Sequence, residues 1–303
     1  MKLWPAAAAA ATGIQVGSAM VATRFVVDQA GPASLALLRY AIGFCCLLPF
    51  VFLTATRARF ARRDLLPIAV LGITQFGVLV ALLNYGLRFI PSARAALIFA
   101  TFPLLTLLVA AALGHERLGP AKIAGVLLTV AGVGVALGEK AIVGAPAFGA
   151  TWIGELAVFA SALAGAVCSV LYRPYLARYP TLPVSAFAML ASVGFLCVLA
   201  APEGFFASPP RFTARGWLAV AFIGVSSGIG YYLWLWALNR APATEVTVFL
   251  ALSPITATAL GAGLLGERLS IMAMLGCALV GLGLWIADRA SPGPAPGDAR
   301  AGG

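Results

Sequence analysis

The chain has 303 residues, of which 62% are hydrophobic and 10% are charged. A soluble domain carries about 25% charged residues, so this composition excludes an ordinary soluble fold. The net charge of +10 comes from short basic loops between apolar runs, without a basic patch or binding motif, which argues against a nucleic-acid partner. Composition and charge therefore predict an all-α integral membrane protein.

The first apolar run, from Pro5 to Val27, follows Lys2 and briefly resembles a signal peptide. It is too long for the apolar core of a signal peptide and long enough to cross a membrane as a helix. Ten such runs, joined by short Pro- or Gly-marked loops, predict ten transmembrane helices. Their approximate bounds are 5–27, 33–54, 65–87, 93–113, 120–138, 151–172, 183–201, 215–238, 244–265 and 270–287. The Pro- and Gly-rich tail at 289–303 is predicted to be disordered.

Lys and Arg in the loops predict how the chain is oriented. With the N-terminus in the cytoplasm, the cytoplasmic side receives 12 Lys and Arg residues and the other side receives 6. This excess, most of it in RARFARRD at 57–64, favours placing both termini and the tail in the cytoplasm. The 17 Arg against 3 Lys residues, with no organelle signal, suggest a bacterial inner (cytoplasmic) membrane.

The second half of the chain repeats the first at an offset of 151 residues. The clearest trace is LGHERL at 113–118, which returns as LGERL at 265–269. Between positions 91 and 118, eight of 28 residues are identical to those 151 positions later, and self-similarity at a fixed offset indicates a repeat. The pairs that define the register are Pro91 and Pro242, Pro103 and Pro254, Glu116 and Glu267, Arg117 and Arg268, Gly125 and Gly276, and Gly132 and Gly283.

Five predicted spans separate equivalent positions of the two copies. Because five is odd, the second copy must enter the membrane from the opposite side, which predicts two inverted five-helix repeats at 1–140 and 150–288. Inverted repeats recur in secondary transporters, where two pseudo-symmetric halves open alternate sides of a central site. A duplication retained for packing alone is the alternative.

A cavity between the halves is predicted to be lined by uncharged polar and aromatic side chains at mid-depth. In GIGYYLWLW at 228–236, Tyr231 and Trp234 are three residues apart and share a helix face. The alternative is that the aromatic stripe packs or forms an interfacial belt. Amides, hydroxyls and rings suit zwitterionic or weakly polar solutes better than polyanions. The predicted cavity residues are Gln15, Gln75, Phe76, Phe99, Phe159, Ser227, Tyr231 and Trp234.

Three charged residues lie in or beside the first two spans. Arg24 and Asp28 are spaced i, i+4 and can pair on one helix face, while Arg39 lies two turns inside span two, where an unpaired charge is expensive. These side chains are expected to form an outer gate or to attract a substrate carboxylate. Snorkelling of the Arg side chains to the interface is the alternative.

The charged pairs Glu116-Arg117 and Glu267-Arg268 lie just past the ends of spans four and nine, on opposite membrane surfaces. Adjacent residues do not share a helix face, so each side chain is expected to find partners elsewhere. We therefore predict that the pairs pin or gate loops and do not contact substrate.

Acidic residues are absent from the middle of the predicted spans. This argues against a cation/proton antiporter of the small-multidrug type and favours facilitated or weakly proton-linked transport. Glu155 and Glu245, at span ends, remain candidate protonation sites.

Proline and glycine mark the remaining features of the spans. Pro103 and Pro254 each remove a backbone hydrogen bond near mid-span, which favours a kink and offers a hinge beside a cavity. A kink without function is the alternative.

Spans five and ten are rich in Gly, which lets helices approach closely. We expect these spans to form a scaffold within a monomer or the contact between the two chains of a homodimer.

No catalytic constellation is apparent in the sequence. His115 is the only histidine, the five cysteines lack metal-binding CxxC spacing, and no GxSxG or HExxH motif occurs. We predict no enzyme activity, no metal and no cofactor. A non-transporting scaffold or sensor remains an alternative to transport.

Several motifs together resemble the drug/metabolite transporter superfamily, EamA type. They are LALLRYAIG at 35–43, WALNRAPATEVTVFLALSPITATALGAGLLGERLS at 236–270, the GE at 154–155, and G-x6-G in spans five and ten. The resemblance implies ten helices in two inverted halves that move small polar metabolites. The predicted aromatic lining is similar to that of bacterial exporters of aromatic and other amino acids, the YddG type. We therefore expect an inner-membrane exporter of neutral amino acids, whose partners are its substrate and membrane lipid; a drug, cation or sugar-type transporter is the alternative.

Overall fold

A computed structural model describes residues 3–53, 60–114, 119–143, 150–267 and 271–289, and every regular element in these ranges is helical. The described residues do not include Glu116, Arg117 and Arg268, so their predicted roles are not addressed by the structure. Positions 290–303 of the predicted tail also lie outside the described residues. The helices in chain order are α1 (Leu3–Val26), α2 (Pro32–Leu53), α3 (Arg62–Gly72), α4 (Leu79–Leu87), α5 (Ser92–Phe99), α6 (Phe102–Ala112), α7 (Pro120–Val143), α8 (Ala150–Leu171), α9 (Arg173–Arg178), α10 (Thr181–Ala200), α11 (Ala214–Leu238), α12 (Ala243–Thr247), α13 (Leu252–Leu265) and α14 (Ile271–Arg289). Shorter segments are the 3-10 turns Val27–Gln29 and Val248–Ala251 and the π-helical segment Ile73–Val78.

Within the described residues, eight helical segments are long and apolar enough to cross a membrane. They match predicted spans one to four and six to nine. Predicted spans five and ten fall on α7 and α14, whose apolar cores are shorter, Ile123–Gly132 and Met274–Gly283. The protein is thus a multi-pass helical membrane protein with eight candidate spans. These are Leu3–Gln29, Pro32–Leu53, Arg62–Leu87, Ser92–Ala112, Thr151–Arg178, Thr181–Ala200, Ala214–Leu238 and Ala243–Leu265.

The spans that carry Pro103 and Pro254 are interrupted just before these prolines. Proline lacks the N–H that closes a helical turn and is tolerated in a first turn, where that N–H has no helical partner. Pro103 is the second residue of α6, after the α5–α6 break. Pro254 is the third residue of α13, after the 3-10 turn Val248–Ala251. The expected kinks are therefore helix breaks at equivalent points of the two halves.

The first and second halves pack closely where α2 crosses α11. A Cβ atom at Gly228 would lie 2.8 Å from the carbonyl oxygen of Gly43, so only glycine permits this approach. Helix α1 also contacts α11, because the Thr12 hydroxyl donates to the Gly230 carbonyl oxygen at 3.3 Å. These contacts bring the middle of α11 against two helices of the first half.

Helices α7 and α14 also meet through glycine. A Cβ at Gly132 would lie 2.8 Å from the Gly276 carbonyl, and one at Gly283 would lie 2.6 Å from the Gly125 carbonyl. The later residue of α7 meets the earlier residue of α14, and the converse, so the two helices run antiparallel. At the offset of 151 residues, Gly125 and Gly132 of α7 correspond to Gly276 and Gly283 of α14.

Candidate substrate-binding site

Three aromatic side chains from three segments meet in the interior and are called the aromatic triangle. They are Tyr40 of α2, Phe76 of the π-helical segment and Tyr231 of α11. Ring centroids lie 5.4 Å apart for Tyr40 and Phe76, 5.6 Å for Tyr40 and Tyr231, and 4.6 Å for Phe76 and Tyr231. Tyr40 and Phe76 are fully buried. Because α2 and the π-helical segment belong to the first half and α11 to the second, the triangle joins the two halves.

Gln75 precedes Phe76 on the π-helical segment Ile73–Val78. Its side chain is buried, and its Oε1 has no hydrogen-bond partner in the described part of the chain. A buried amide oxygen without a partner is costly, and π-helical turns concentrate at functional sites. Gln75 therefore offers a buried hydrogen-bond acceptor on the segment that also carries Phe76.

A second aromatic group continues from α11 toward the α5–α6 break. The ring of Trp234 meets Phe102 edge to face at 6.0 Å, and Phe102 lies 5.3 Å from Phe99. Trp234 is buried, and its indole Nε1 has no acceptor among the described residues. Rings of this kind bury large apolar area while offering a polar edge. The interior site thus extends from the triangle to the broken span.

Gln15 links α1 to the same stretch of α11. Its Nε2 donates to the Ser226 hydroxyl at 3.3 Å, and the side chain is only partly buried. Ser226 is followed by Ser227, which faces α2. A polar layer therefore crosses α11 one turn before Tyr231.

Arg39 lies in this polar layer. Its Nε donates to the Ser227 hydroxyl at 2.6 Å, and its guanidinium carbon lies 5.7 Å from the centroid of the Tyr40 ring. The residue is 4% exposed, so the guanidinium does not snorkel to a membrane surface. No carboxylate within the described ranges forms an ion pair with it. Arg39 is therefore a buried cation held by a neutral hydroxyl.

Phe159 requires a correction, because the structure does not bring it to the site. Its side chain is 41% exposed on the side of α8 that also carries exposed Leu156 and Leu163. Residues three and four apart share a helix face, so this outward face of α8 includes Phe159. The neighbouring Val158 and Ala162 form the buried face instead.

Of the other predicted cavity residues, Ser227, Tyr231 and Trp234 lie on α11, and Gln15 and Phe76 contact this helix. Phe99 reaches Trp234 through Phe102, and Gln75 precedes Phe76 in the chain. Two residues of the site are not predicted from the sequence: Tyr40 and Phe102, which complete the two aromatic groups. Tyr40 carries a signal, since it follows Arg39 in LALLRYAIG. Nothing in the sequence distinguishes Phe102 from the other members of a set of 18 phenylalanines.

Two glutamates of the second half cap helices of the first half. Glu203 accepts the Ala33 and Ser34 backbone N–H groups at 3.0 and 2.7 Å, and the Ser34 hydroxyl at 2.7 Å. Glu267 accepts the Ser92 N–H at 2.9 Å, the Ser92 hydroxyl at 2.7 Å and the Ala93 N–H at 3.3 Å. Carboxylates are favourable at helix N-termini, where backbone N–H groups are unpaired. The membrane surface that carries both caps is called the Glu267 surface.

The opposite surface, called the Asp64 surface, is joined by a different cluster. Asp64 of α3 accepts hydrogen bonds from Arg178 at 2.7 Å and from the Tyr179 hydroxyl at 2.6 Å. The Tyr179 ring packs on Phe60 at 5.0 Å, and Phe60 reaches Phe187 of α10 at 5.5 Å. These contacts connect the start of α3 to α9 and α10. The interior site is therefore enclosed between two bonded surfaces.

Other charged pairs lie at the Glu267 surface. Arg24 and Asp28 pair at 3.4 Å with side chains 31% and 74% exposed, a geometry that contributes little stability. Arg94 and Glu155 lie 3.5 Å apart and connect α5 to α8. In the part of the chain that the structure describes, no group of three His, Cys, Asp or Glu residues could hold a metal.

A polar cavity of about 410 Å³ opens at the Glu267 surface. Its wall includes Ser34 and Glu203, so the cap on α2 forms part of the cavity wall. Ser34 precedes Arg39 by five residues, about 7.5 Å along a helix. Arg39 itself is not part of the cavity wall. The polar lining residues are Asp28, Gln29, Ser34, Glu203, Ser208 and Arg211.

The EamA-like transporter family model matches this chain twice, at residues 3–138 and 152–287. A protein of Streptantibioticus cattleyicolor, described as a probable terminal-alkyne amino-acid exporter, is 32% identical over 93% of this chain and 92% of its own length. The aromatic amino acid exporter YddG of Ancylobacter novellus is 34% identical over 58% of this chain and 59% of its own. A solved crystal structure is similar with a TM-score of 0.71 and 26% identity, covering 95% of this chain and 97% of that one.

Proposed function

The chain belongs to the EamA-like transporter family, and from this membership we propose that it is a secondary transporter that exports amino acids by alternating access. Aromatic and other neutral amino acids are its substrates, because the interior site combines rings with amide and hydroxyl groups. The observation that carries the proposal is the aromatic triangle, buried between two halves that are bonded at both surfaces. The names of two relatives support the same substrate class.

The ten-helix inverted repeat is part of this proposal. It is supported by the two copies of the family model and by the antiparallel contact of α7 with α14. Gly132 contacts Gly276, and Gly283 contacts Gly125. The offset of 151 residues turns the first of these pairs into the second, because it relates Gly132 to Gly283 and Gly125 to Gly276. A two-fold axis in the membrane plane produces this pattern, and such axes relate the halves of many secondary transporters.

Alternating access then consists of releasing one surface while the other stays closed. The Glu203 and Glu267 caps hold one surface, and the Asp64 cluster holds the other. The helix breaks before Pro103 and Pro254 lie between these surfaces and serve as hinges, because hinges need backbone positions that absorb a change in dihedral angle. Transport is facilitated or only weakly proton-linked, since the interior site is built from neutral groups and Arg39.

The main alternative is a transporter of drugs, cations or sugars from the same superfamily. Arg39 disfavours organic cations, because like charges repel strongly in an interior of low dielectric constant. Sugars need a hydrogen-bonding partner for most of their hydroxyl groups, whereas the site is built mainly from rings and offers few such groups. A scaffold or sensor without transport is the second alternative, and a flux measurement decides it.

The proposed location is the bacterial inner membrane with both termini in the cytoplasm. The Glu267 surface then faces outward, and the excess of basic residues on the other side supports this orientation. Alkaline phosphatase fused within residues 204–210 is expected to be active, and the same fusion after Tyr179 is expected to be inactive. The reverse pattern would contradict the orientation.

Flux in proteoliposomes tests the proposal. Vesicles loaded with radiolabelled L-phenylalanine are expected to release it faster than protein-free vesicles. Competition by a panel of amino acids, sugars and cationic drugs then ranks the substrates. Trp234→Ala is expected to lower the phenylalanine flux about tenfold, because an interior aromatic contact of about 0.5–1.5 kcal/mol is lost together with buried area.

Phe159→Ala is the matched control, since it removes a phenyl ring from the outward face of α8 and should leave flux near wild type. Correctly folded protein that moves no member of the panel would overturn the transporter proposal. Selective transport of cations or sugars would overturn the substrate class alone.

A further inference from the structure

We propose that Arg39, held by Ser227, is the residue that binds the substrate carboxylate. This inference rests on the proposed function and deepens it, because it assigns substrate recognition to one side chain. It concerns a buried cation that no residue of the described ranges neutralises.

The burial of Arg39 is the first step. A charged side chain inside a membrane protein is expensive unless it is paired, and such residues mark substrate or ion pathways. Arg39 is 4% exposed and lies two turns inside α2. The Ser227 hydroxyl accepts one hydrogen bond but carries no charge. The protein therefore maintains a positive charge that a bound anion would neutralise.

The second step concerns the acidic residues that are available. Asp64 is engaged by Arg178 and Tyr179, and Glu203 caps α2 at Ala33 and Ser34. In the same way Glu267 caps α5, Glu155 pairs with Arg94, and Asp28 pairs with Arg24. These five carboxylates are held at the two surfaces, and no carboxylate of the described ranges forms an ion pair with Arg39, so the proposed anion is a bound solute.

The third step is the geometry of the guanidinium. Ser227 takes the Nε–H and leaves the two terminal nitrogens without a hydrogen-bond partner among the described residues. Terminal guanidinium nitrogens bind a carboxylate in a forked arrangement that matches its two oxygens. The single bond to Ser227 orients the fork without neutralising it.

The surroundings of the guanidinium identify the class of carboxylate. The Tyr40 ring lies 5.7 Å from the guanidinium carbon and belongs to the aromatic triangle with Phe76 and Tyr231. A solute whose carboxylate reaches Arg39 therefore places its remaining atoms beside these rings. An α-amino acid with an aromatic or large apolar side chain fits this combination.

Three ligands that differ only at the carboxyl group provide the test on wild-type protein. L-phenylalanine carries a carboxylate, phenylalaninamide a neutral amide, and phenethylamine neither group. Binding is measured by calorimetry and by competition against radiolabelled phenylalanine in proteoliposomes. Phenylalanine is expected to bind about 30-fold more tightly than either analogue, since the analogues lose the charge-assisted hydrogen bonds between carboxylate and guanidinium.

Variants then assign this preference to Arg39. Arg39→Gln is expected to abolish the preference for the carboxylate, and Arg39→Lys to restore part of it, because Lys keeps the charge and loses the fork. Ser227→Ala is expected to weaken phenylalanine binding by a smaller factor. Arg215→Gln, which removes an exposed cation from the start of α11, is the matched control and should keep the wild-type preference.

The outcomes separate this inference from the proposed function. If wild-type protein binds the amide or the amine as tightly as phenylalanine, the inference is overturned whether or not the variants fold. The same conclusion follows if folded Arg39→Gln keeps the wild-type preference. If wild-type protein transports no amino acid at all, the proposed function fails first.

Discussion

Glu267 of the second half accepts both the backbone N–H and the hydroxyl of Ser92, at 2.9 and 2.7 Å, and thereby closes the N-terminus of α5. The two residues are 175 positions apart in the chain. The bond therefore joins the halves that must separate if the Glu267 surface opens. Glu203 caps α2 at Ser34 in the same way, so two carboxylate caps of the same kind close this surface.

Glu267→Gln is expected to weaken this closure. The amide keeps one acceptor oxygen but loses the charge and the second acceptor, so the free energy of unfolding should fall by about 1–2 kcal/mol. Hydrogen exchange of residues 92–97 should become faster. A double-mutant cycle with Ser92→Ala should show coupling of about 0.5–1 kcal/mol; additive effects would contradict the contact.

Asp64→Asn is expected to loosen the opposite surface. The substitution removes the charge that holds Arg178 and leaves a weaker hydrogen bond to Tyr179. Hydrogen exchange should accelerate at residues 62–68 and 178–184 but remain unchanged near Ser92. Arg173→Gln, on the exposed side of α9, is the control. Equal acceleration at both surfaces would argue against two separate closures.

Gln75→Leu is expected to separate stability from transport. The Gln75 Oε1 has no hydrogen-bond partner among the residues that the structure describes, and replacing an unsatisfied buried polar group by an apolar one of similar size is nearly neutral or stabilising. The unfolding midpoint should therefore stay constant or rise, while the phenylalanine flux falls about tenfold, the loss of one hydrogen bond to a charged ammonium group. Unchanged flux would exclude Gln75 from the site.

Gly228→Ala is expected to force α2 and α11 apart. The added Cβ would lie 2.8 Å from the Gly43 carbonyl oxygen, and a backbone atom cannot rotate away. Overpacking of this kind costs about 1–3 kcal/mol, and the displacement also separates Arg39 from Ser227. Thermal unfolding and phenylalanine affinity should both decline.

Gly194→Ala provides the matched control for this substitution. Apart from its chain neighbours and the backbone of its own helical turn, no atom of the described residues lies within 4 Å of the position where its Cβ would be. In an open helical position, alanine is favoured over glycine by about 0.5–1 kcal/mol, so stability should hold or rise. A loss of stability equal to that of the Gly228 variant would show that close packing is not the cause.

Helical spacing places residues on faces, and this predicts part of the candidate site. Tyr231 and Trp234, three residues apart, were predicted to share a face of α11, and both reach the interior aromatic groups. The same reasoning failed for Phe159, because spacing relates residues within one helix but does not say which face turns inward. Tyr40 is not predicted, because its place in the site depends on contacts with the rings of Phe76 and Tyr231, which belong to two other segments.

The sequence alone determined the membrane class, most of the spans, the repeat and the family. These are linear properties: an apolar run of about 20 residues predicts a span, and a fixed offset of 151 residues reveals the duplication. Only the tertiary structure decided that Arg39 is buried against Ser227, 188 residues away, and that Glu203 and Glu267 cap helices of the other half. Such contacts depend on how each helix is rotated and which helix lies beside it, and the packing of all the helices together sets both.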